Sequence, residues 1–199
     1  MDRTGERLGV FGGTFDPPHI GHFMVAVNSL HALSLDRVLL VVSNVPWQKA
    51  DTRPITPAED RLALVAAGLC GHAGVEASDL EIRLGGESST VATLRHLRQL
   101  DPTGQIFLIV GADAAAGLHT WRRHEELPEL ATLVVVDRAG VEGTRIPWSG
   151  PLLRLTVPRL DISSSEVRRR IAAGEPVDYL VPPRVASLLG ERLLYRGAP

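Results

Sequence analysis

The chain has 199 residues, 44% hydrophobic and 22% charged, and its 21 Lys and Arg against 23 Asp and Glu give a formal net charge of -2. That suits one α/β domain with a sizeable core, and the near-neutral balance excludes a general basic field of the kind that binds nucleic acid. A lone cysteine excludes an internal disulfide framework or a thiolate metal site, no apolar run approaches the roughly 20 residues of a membrane span, and Met1 to Arg7 has no apolar leader core, so a cytoplasmic protein without membrane or nucleic-acid partners is expected.

Leu8-Phe11 is a continuous apolar run and predicts a first strand buried on both faces. Gly12-Gly13 interrupts it, Pro17-Pro18 stiffens the lead-in to a helix over 20–34, and Arg37-Val42 predicts a second strand. A helix over 57–70 has Pro57 at its first position, Glu59 and Asp60 in its first turn, and Leu62, Val65, Ala66 and Leu69 along one apolar stripe. Cys70 at its end is expected as a buried structural thiol. Weak alternation predicts a strand over about 75–83, ending at Gly85-Gly86. A helix over 90–100, a strand Gln105-Val110, a helix over 121–130 and a strand Thr132-Val136 follow. Val141 to Pro151 reads as a surface loop, and Pro182-Pro183 opens a last helix over about 183–191.

Strands alternating with helices predict an α/β fold, a Rossmann-like parallel sheet flanked by helices on both sides. A single domain over 1–199 with a small helical C-terminal part from about 163 is expected. Ligands in such folds bind beyond the carboxyl ends of the strands, where strand order reverses.

The densest chemistry follows the first strand: Gly12-Gly13-Thr14-Phe15-Asp16-Pro17-Pro18-His19-Ile20-Gly21-His22. The glycines permit close backbone approach, Thr14 offers a hydroxyl, and His19 and His22 share one face at the positive end of a helix. A polyphosphate fits there, and its charge would favour protonated imidazoles. Gly21 is expected to leave room for a base or sugar. A dinucleotide G-x-G-x-x-G is absent, which argues against a dehydrogenase. Ile162-Ser163-Ser164-Ser165-Glu166-Val167-Arg168 starts a second helix. Its serines suit ordinary N-capping, or a second anion-binding helix end with Arg168 as a guanidinium fork.

The first string resembles the signature of the nucleotidylyltransferase superfamily, with H-x-G-H at His19 to His22; the second is similar to its I-S-S-T-x-x-R element, with Ser165 in place of threonine. Gly111-Ala112-Asp113 followed by Trp121 resembles the G-A-D…W pattern of bacterial nicotinate mononucleotide adenylyltransferases. That resemblance implies a nucleotidylyltransferase α/β phosphodiesterase fold and adenylyl transfer from ATP to nicotinate mononucleotide, in NAD biosynthesis. It implies catalytic roles for His19, His22 and Arg168. ATP binding falls to Gly12, Gly13, Thr14, Phe15, Gly111, Asp113, Ile162, Ser163, Ser164 and Ser165, with Asp113 equally suited to cap a helix. Mononucleotide binding falls to Lys49, Thr90, Trp121 and Arg138; a lone loop lysine is also at home in solvent, and an indole at home in a core.

Family members typically read S-Y-T-x-D-T-L where this chain has Ser88-Ser89-Thr90-Val91-Ala92-Thr93-Leu94, so an aromatic and an aspartate are replaced. Other acceptors, nicotinamide mononucleotide or phosphopantetheine, therefore stay open beside nicotinate mononucleotide, as does a non-catalytic nucleotide-binding module. Mg²⁺ is expected with ATP, held by the substrate's own oxygens and not by a protein metal cage. A homodimer is one candidate assembly.

Overall fold

The computed structural model describes residues 5–46, 54–138 and 146–196. Six strands form one parallel sheet: β1 (Arg7–Gly13), β2 (Arg37–Val42), β3 (Val75–Ser78), β4 (Gln105–Gly111), β5 (Thr132–Arg138) and β6 (Leu152–Val157). Their spatial order is β3-β2-β1-β4-β5-β6, so the chain winds outward from β1 in one direction and from β4 in the other. The carboxyl ends of β1 and β4 flank the crevice where such folds place ligands.

The helices are α1 (Ile20–Ala32), α2 (Ala58–Leu69), α3 (Leu80–Leu84), α4 (Thr90–Leu100), α5 (Ala112–Ala116), α6 (Leu127–Leu130), α7 (Ser164–Ala172) and α8 (Pro183–Glu191). Period-2 alternation sends Leu8, Val10, Leu39, Val41 and Leu108 to one face, where Val91, Leu94 and Leu97 of α4 cover them. Val38, Leu40, Val42 and Ile109 point the other way, against Ala26 and Leu30 of α1 and Val65 of α2. A third cluster joins Leu64 of α2 to Val167 of α7 and to Val181, Val185 and Leu189 around α8. The C-terminal helices are thus fastened to the second helix, which places them at the same end of the sheet as the glycine–histidine loop.

Several sequence expectations are corrected. The strand expected over 75–83 stops at Ser78, and Leu80–Leu84 is a short helix that buries Leu80 and Glu81. The helix expected over 121–130 is a 3-10 turn at His124–Glu126 followed by α6, because Pro128 follows its first residue and Arg123 adopts a left-handed conformation at φ 56°. Residues 152–157, assigned to no element from sequence, form edge strand β6; most of its side chains are exposed, so no buried apolar run marks it. Of the expected loop, residues 141–145 lie outside the described residues, while Ile146 and Trp148 pack against the core. Cys70 is exposed, not buried, because it sits in a left-handed conformation (φ 49°) that ends α2.

Candidate active site

β1 delivers Gly13 to the carboxyl edge of the sheet, and the loop after it climbs to His19, which takes the N-cap position of α1. A Cβ on Gly13 would lie 2.8 Å from the Phe15 ring, so only glycine lets that ring tuck beneath the loop. Phe15 is 2% exposed and meets Phe11 and His22 edge-on, at centroid distances of 5.8 and 5.0 Å. Its side chain is therefore structural, which leaves its backbone as the part of Phe15 that can serve a ligand.

The two imidazoles lie against each other, with ring centroids 3.8 Å apart and planes at 32°. The His19 N–H donates to Nδ1 of His22 at 3.1 Å, and the His22 N–H donates to the His19 carbonyl at 2.9 Å. The His22 side chain therefore satisfies a backbone donor at the helix start, and with Nδ1 an acceptor the ring in this conformation is the neutral tautomer with its proton on Nε2. The expected protonation of His22 would have to break this cap. Gly21 also has a different neighbour from the one expected: a Cβ there would meet His19 Nδ1 at 3.0 Å and Ile162 Cγ2 at 3.4 Å, so the glycine makes room for the His19 ring and for the segment leading into α7.

That second helix start is capped by Ser163, whose Oγ accepts the Glu166 N–H at 3.2 Å. The capping reading of the serines thus holds for Ser163, while its neighbours reach the first loop. Ser164 Oγ donates to the Pro17 carbonyl at 2.8 Å. Arg168 donates from Nη1 to the Asp16 carbonyl at 2.6 Å and from Nη2 to Ser165 Oγ at 3.0 Å. The two helix N-termini are brought together by these contacts. Glu166 is held at about 2 by hydrogen bonds first from Arg169 and then from Arg170, which places those two arginines in a surface ion cluster away from the loop contacts of Arg168.

Beneath the loop, Asp16 is 1% exposed, and its Oδ1 accepts a 2.5 Å hydrogen bond from Oη of Tyr195, near the chain's end. Burial, followed by the hydrogen bond to Asp16, pushes the Tyr195 phenol far above its ordinary value, so it stays a donor. On the other side lies Arg61 of α2, 1% exposed, donating to the carbonyls of Thr14, Asn44 and Thr56 at 2.8, 3.0 and 2.7 Å. Neither Asp16–Tyr195 nor Arg61 was picked out from sequence. Arg61 had one signal: it stands three and four residues before the buried Leu64 and Val65, on the face of α2 that enters the core.

A cavity of about 220 Å³ opens at the β1–β4 crevice. Gly12, Gly13 and Thr14 line one wall, Ser89 and Thr90 at the start of α4 another, and Trp121 and Glu81 complete it. Trp121 also packs against the core cluster, so it lines the cavity and contributes to the core at once. Ser89 is the N-cap of α4, its Oγ accepting the Ala92 N–H at 3.4 Å. Glu81, 9% exposed, accepts from Thr93 Oγ1 at 2.8 Å. Gly111 ends β4 as the N-cap of α5, so Asp113 is not a cap but an exposed residue in that helix's first turn. Lys49 and the side chain of Arg138 lie outside the described residues.

The site's groups suit an anion more than a cation: imidazoles, a guanidinium and two helix N-termini. The carboxylate nearest the loop, Asp16, is buried and already engaged by Tyr195. Among the described residues, no group of three or more His, Cys, Asp or Glu is placed to hold a metal ion.

The fold is a Rossmann-like α/β sheet, with a cavity lined by the glycine loop at the carboxyl edge of β1. The model of the cytidylyltransferase-like family matches residues 10–170. A protein of Thermus thermophilus named as a probable nicotinate-nucleotide adenylyltransferase is 42% identical over 190 residues, covering 96% of this chain and all of the relative. One of the same name from Corynebacterium kroppenstedtii is 41% identical over 192 residues, covering 95% of this chain and 90% of the relative. Among solved structures, the Plasmodium falciparum nicotinic acid mononucleotide adenylyltransferase complexed with NaAD superposes with a TM-score of 0.76 at 17% identity, over 96% of this chain and 97% of that one, a likeness of fold. The chain belongs to the cytidylyltransferase-like family and, within it, to the nicotinate-nucleotide adenylyltransferases.

Proposed function

We propose that this protein transfers the adenylyl group of ATP to nicotinate mononucleotide, giving deamido-NAD and pyrophosphate. The observation that carries the reading is a cavity that joins the Gly12-Gly13-Thr14 edge to Thr90 and Trp121; His19, His22, Arg168 and the serines of α7 do not line it, but the loop that leaves Thr14 leads to the hydrogen-bonded starts of α1 and α7. Together they offer a flat indole for a pyridine ring at one end and hydrogen-bond donors for a polyphosphate near the other.

In this reading a phosphate oxygen of the mononucleotide forms a bond to the α-phosphorus of ATP, and the bond from that phosphorus to the bridging oxygen breaks, releasing pyrophosphate. The nucleophile is already anionic, so no general base is needed. Alignment of two repelling anions and neutralisation of the leaving group are the protein's task. His22 donates from Nε2 to phosphate oxygen, His19 supports it, and Arg168 turns from the Asp16 carbonyl toward the β- and γ-phosphates. Backbone N–H groups of 12–15 and of Ser163 to Ser165, the latter beside Ile162, surround the phosphates. Gly111 and Asp113 take the adenosine, and Thr90, Trp121, Lys49 and Arg138 the mononucleotide. Mg²⁺ enters as part of the MgATP substrate. We read the chain as one domain of a cytoplasmic enzyme.

The test is pyrophosphate release from MgATP with nicotinate mononucleotide, nicotinamide mononucleotide and phosphopantetheine in parallel. A strong preference for the nicotinate form is expected. Turnover with another acceptor alone, or with none, overturns the reading; Ser89 and Ala92 make nicotinamide mononucleotide the comparison to watch.

A further inference from the structure

We infer that Arg61 is a positioning residue for this reaction, one that aims a single backbone N–H of the phosphate loop. This rests on the function proposed above. Four carbonyls over residues 13–17 are held from outside: Gly13 by the N–H and Oγ of Ser43, Thr14 by Arg61, Asp16 by Arg168 and Pro17 by Ser164. In a planar peptide the C=O and the following N–H bear on the same unit, and in the trans form they point in opposite directions. The residues that follow Asp16 and Pro17 are prolines and have no N–H. Two held carbonyls therefore direct a donor, that of Gly13 through the Thr14 N–H and that of Thr14 through the Phe15 N–H, and Arg61 is the group that holds the second.

The direction follows from where each group lies. Thr14 lines the cavity, whereas Arg61 is buried and neither it nor Phe15 is among the lining residues. An N–H opposed to Arg61 is turned toward the side where the anion docks. Phe15 has φ 49°, a left-handed value that a phenylalanine rarely adopts without support from its surroundings. The same guanidinium fixes Asn44 and Thr56, the two ends of the β2–α2 connection, so one side chain registers two segments of the site against each other. Lysine cannot reproduce this: its ammonium is a compact point charge, whereas the planar guanidinium fork reaches three acceptors at once.

Two experiments on the full-length protein test the assignment. Arg61→Lys, assayed at a temperature where its circular dichroism shows it folded, is expected to lose roughly 10–100-fold in kcat with KM for the mononucleotide changed by less than about threefold. Folded Arg61→Lys with wild-type kcat, whatever its melting temperature, overturns the proposal. A variant that does not fold leaves the second experiment to decide. In wild-type protein labelled with ¹⁵N, inorganic pyrophosphate is expected to move the Phe15 amide proton downfield as it accepts that hydrogen bond. A Phe15 amide unmoved by saturating pyrophosphate also overturns it. Wild-type protein inactive with every acceptor would instead refute the proposed function, and the amide titration, repeated on folded Arg61→Lys beside wild type, would still read out Arg61's part in anion binding.

Discussion

The backbone N–H of His19 and the Nδ1 atom of His22 form a 3.1 Å hydrogen bond that makes the second histidine part of its own helix cap. One side chain thereby holds a helix start in place and presents the opposite ring nitrogen as a donor. The 3.8 Å stacking with His19 holds the ring plane as well.

His22→Ala removes that donor and is expected to lower kcat by two or more orders of magnitude, the usual size of losing one preorganised transition-state hydrogen bond. Steady-state kinetics on folded variant checks it, and near-wild-type turnover would take His22 out of the mechanism.

Trp121→Ala is expected to raise KM for the mononucleotide far more than KM for ATP, since the indole lines the cavity, whereas no residue of the α1 or α7 starts does. Separate titrations of the two substrates decide; equal effects on both would end the stacking role.

Tyr195→Phe removes a donor to the buried carboxylate of Asp16. A cost of about 1–3 kcal/mol is expected, a drop of roughly 2–12 °C in melting temperature for a chain of this size. An unchanged thermal midpoint would show that the C-terminal segment contributes no support to the loop.

Glu166 titrates at about 2, below its ordinary 4.5, because it accepts hydrogen bonds from Arg169 and then Arg170. A carboxylate lowered on folding contributes stability that is complete above its unfolded value and lost as pH falls through the folded one. Urea unfolding from pH 6 to pH 2 should therefore show a shallower decline below about pH 4.5 for Glu166→Gln than for wild type. The flattening will be partial, since Glu175 is also lowered, by Arg169 first. Parallel curves for the two proteins would contradict the assignment.

Local patterns carried much of this protein. Leu8 to Phe11, Arg37 to Val42, Gln105 to Val110 and Thr132 to Val136 are continuous apolar runs, and burial on both faces of a parallel sheet is what such runs are for. The glycine–histidine string and the serine–arginine string were readable for a related reason. Caps, tight turns and helix starts depend on residues a few positions apart, so their chemistry is written contiguously.

What only the tertiary structure decided depends on partners distant in the chain. Tyr195 and Asp16 are 179 residues apart, and Arg168 reaches Asp16 across 152. Arg61 looks like a helix-surface charge until Leu64 and Val65 are seen to turn that face inward, where carbonyls gathered from distant segments accept from the buried guanidinium. Edge strand β6 escaped because half-exposed strands carry no apolar run, and the left-handed end of α2 exposed Cys70. Sequence by itself determined four strands of the sheet, the two helix starts and the family; folding decided which side chains hold those starts together, because a hydrogen bond to a backbone carbonyl leaves no trace in the identity of the residue that accepts it.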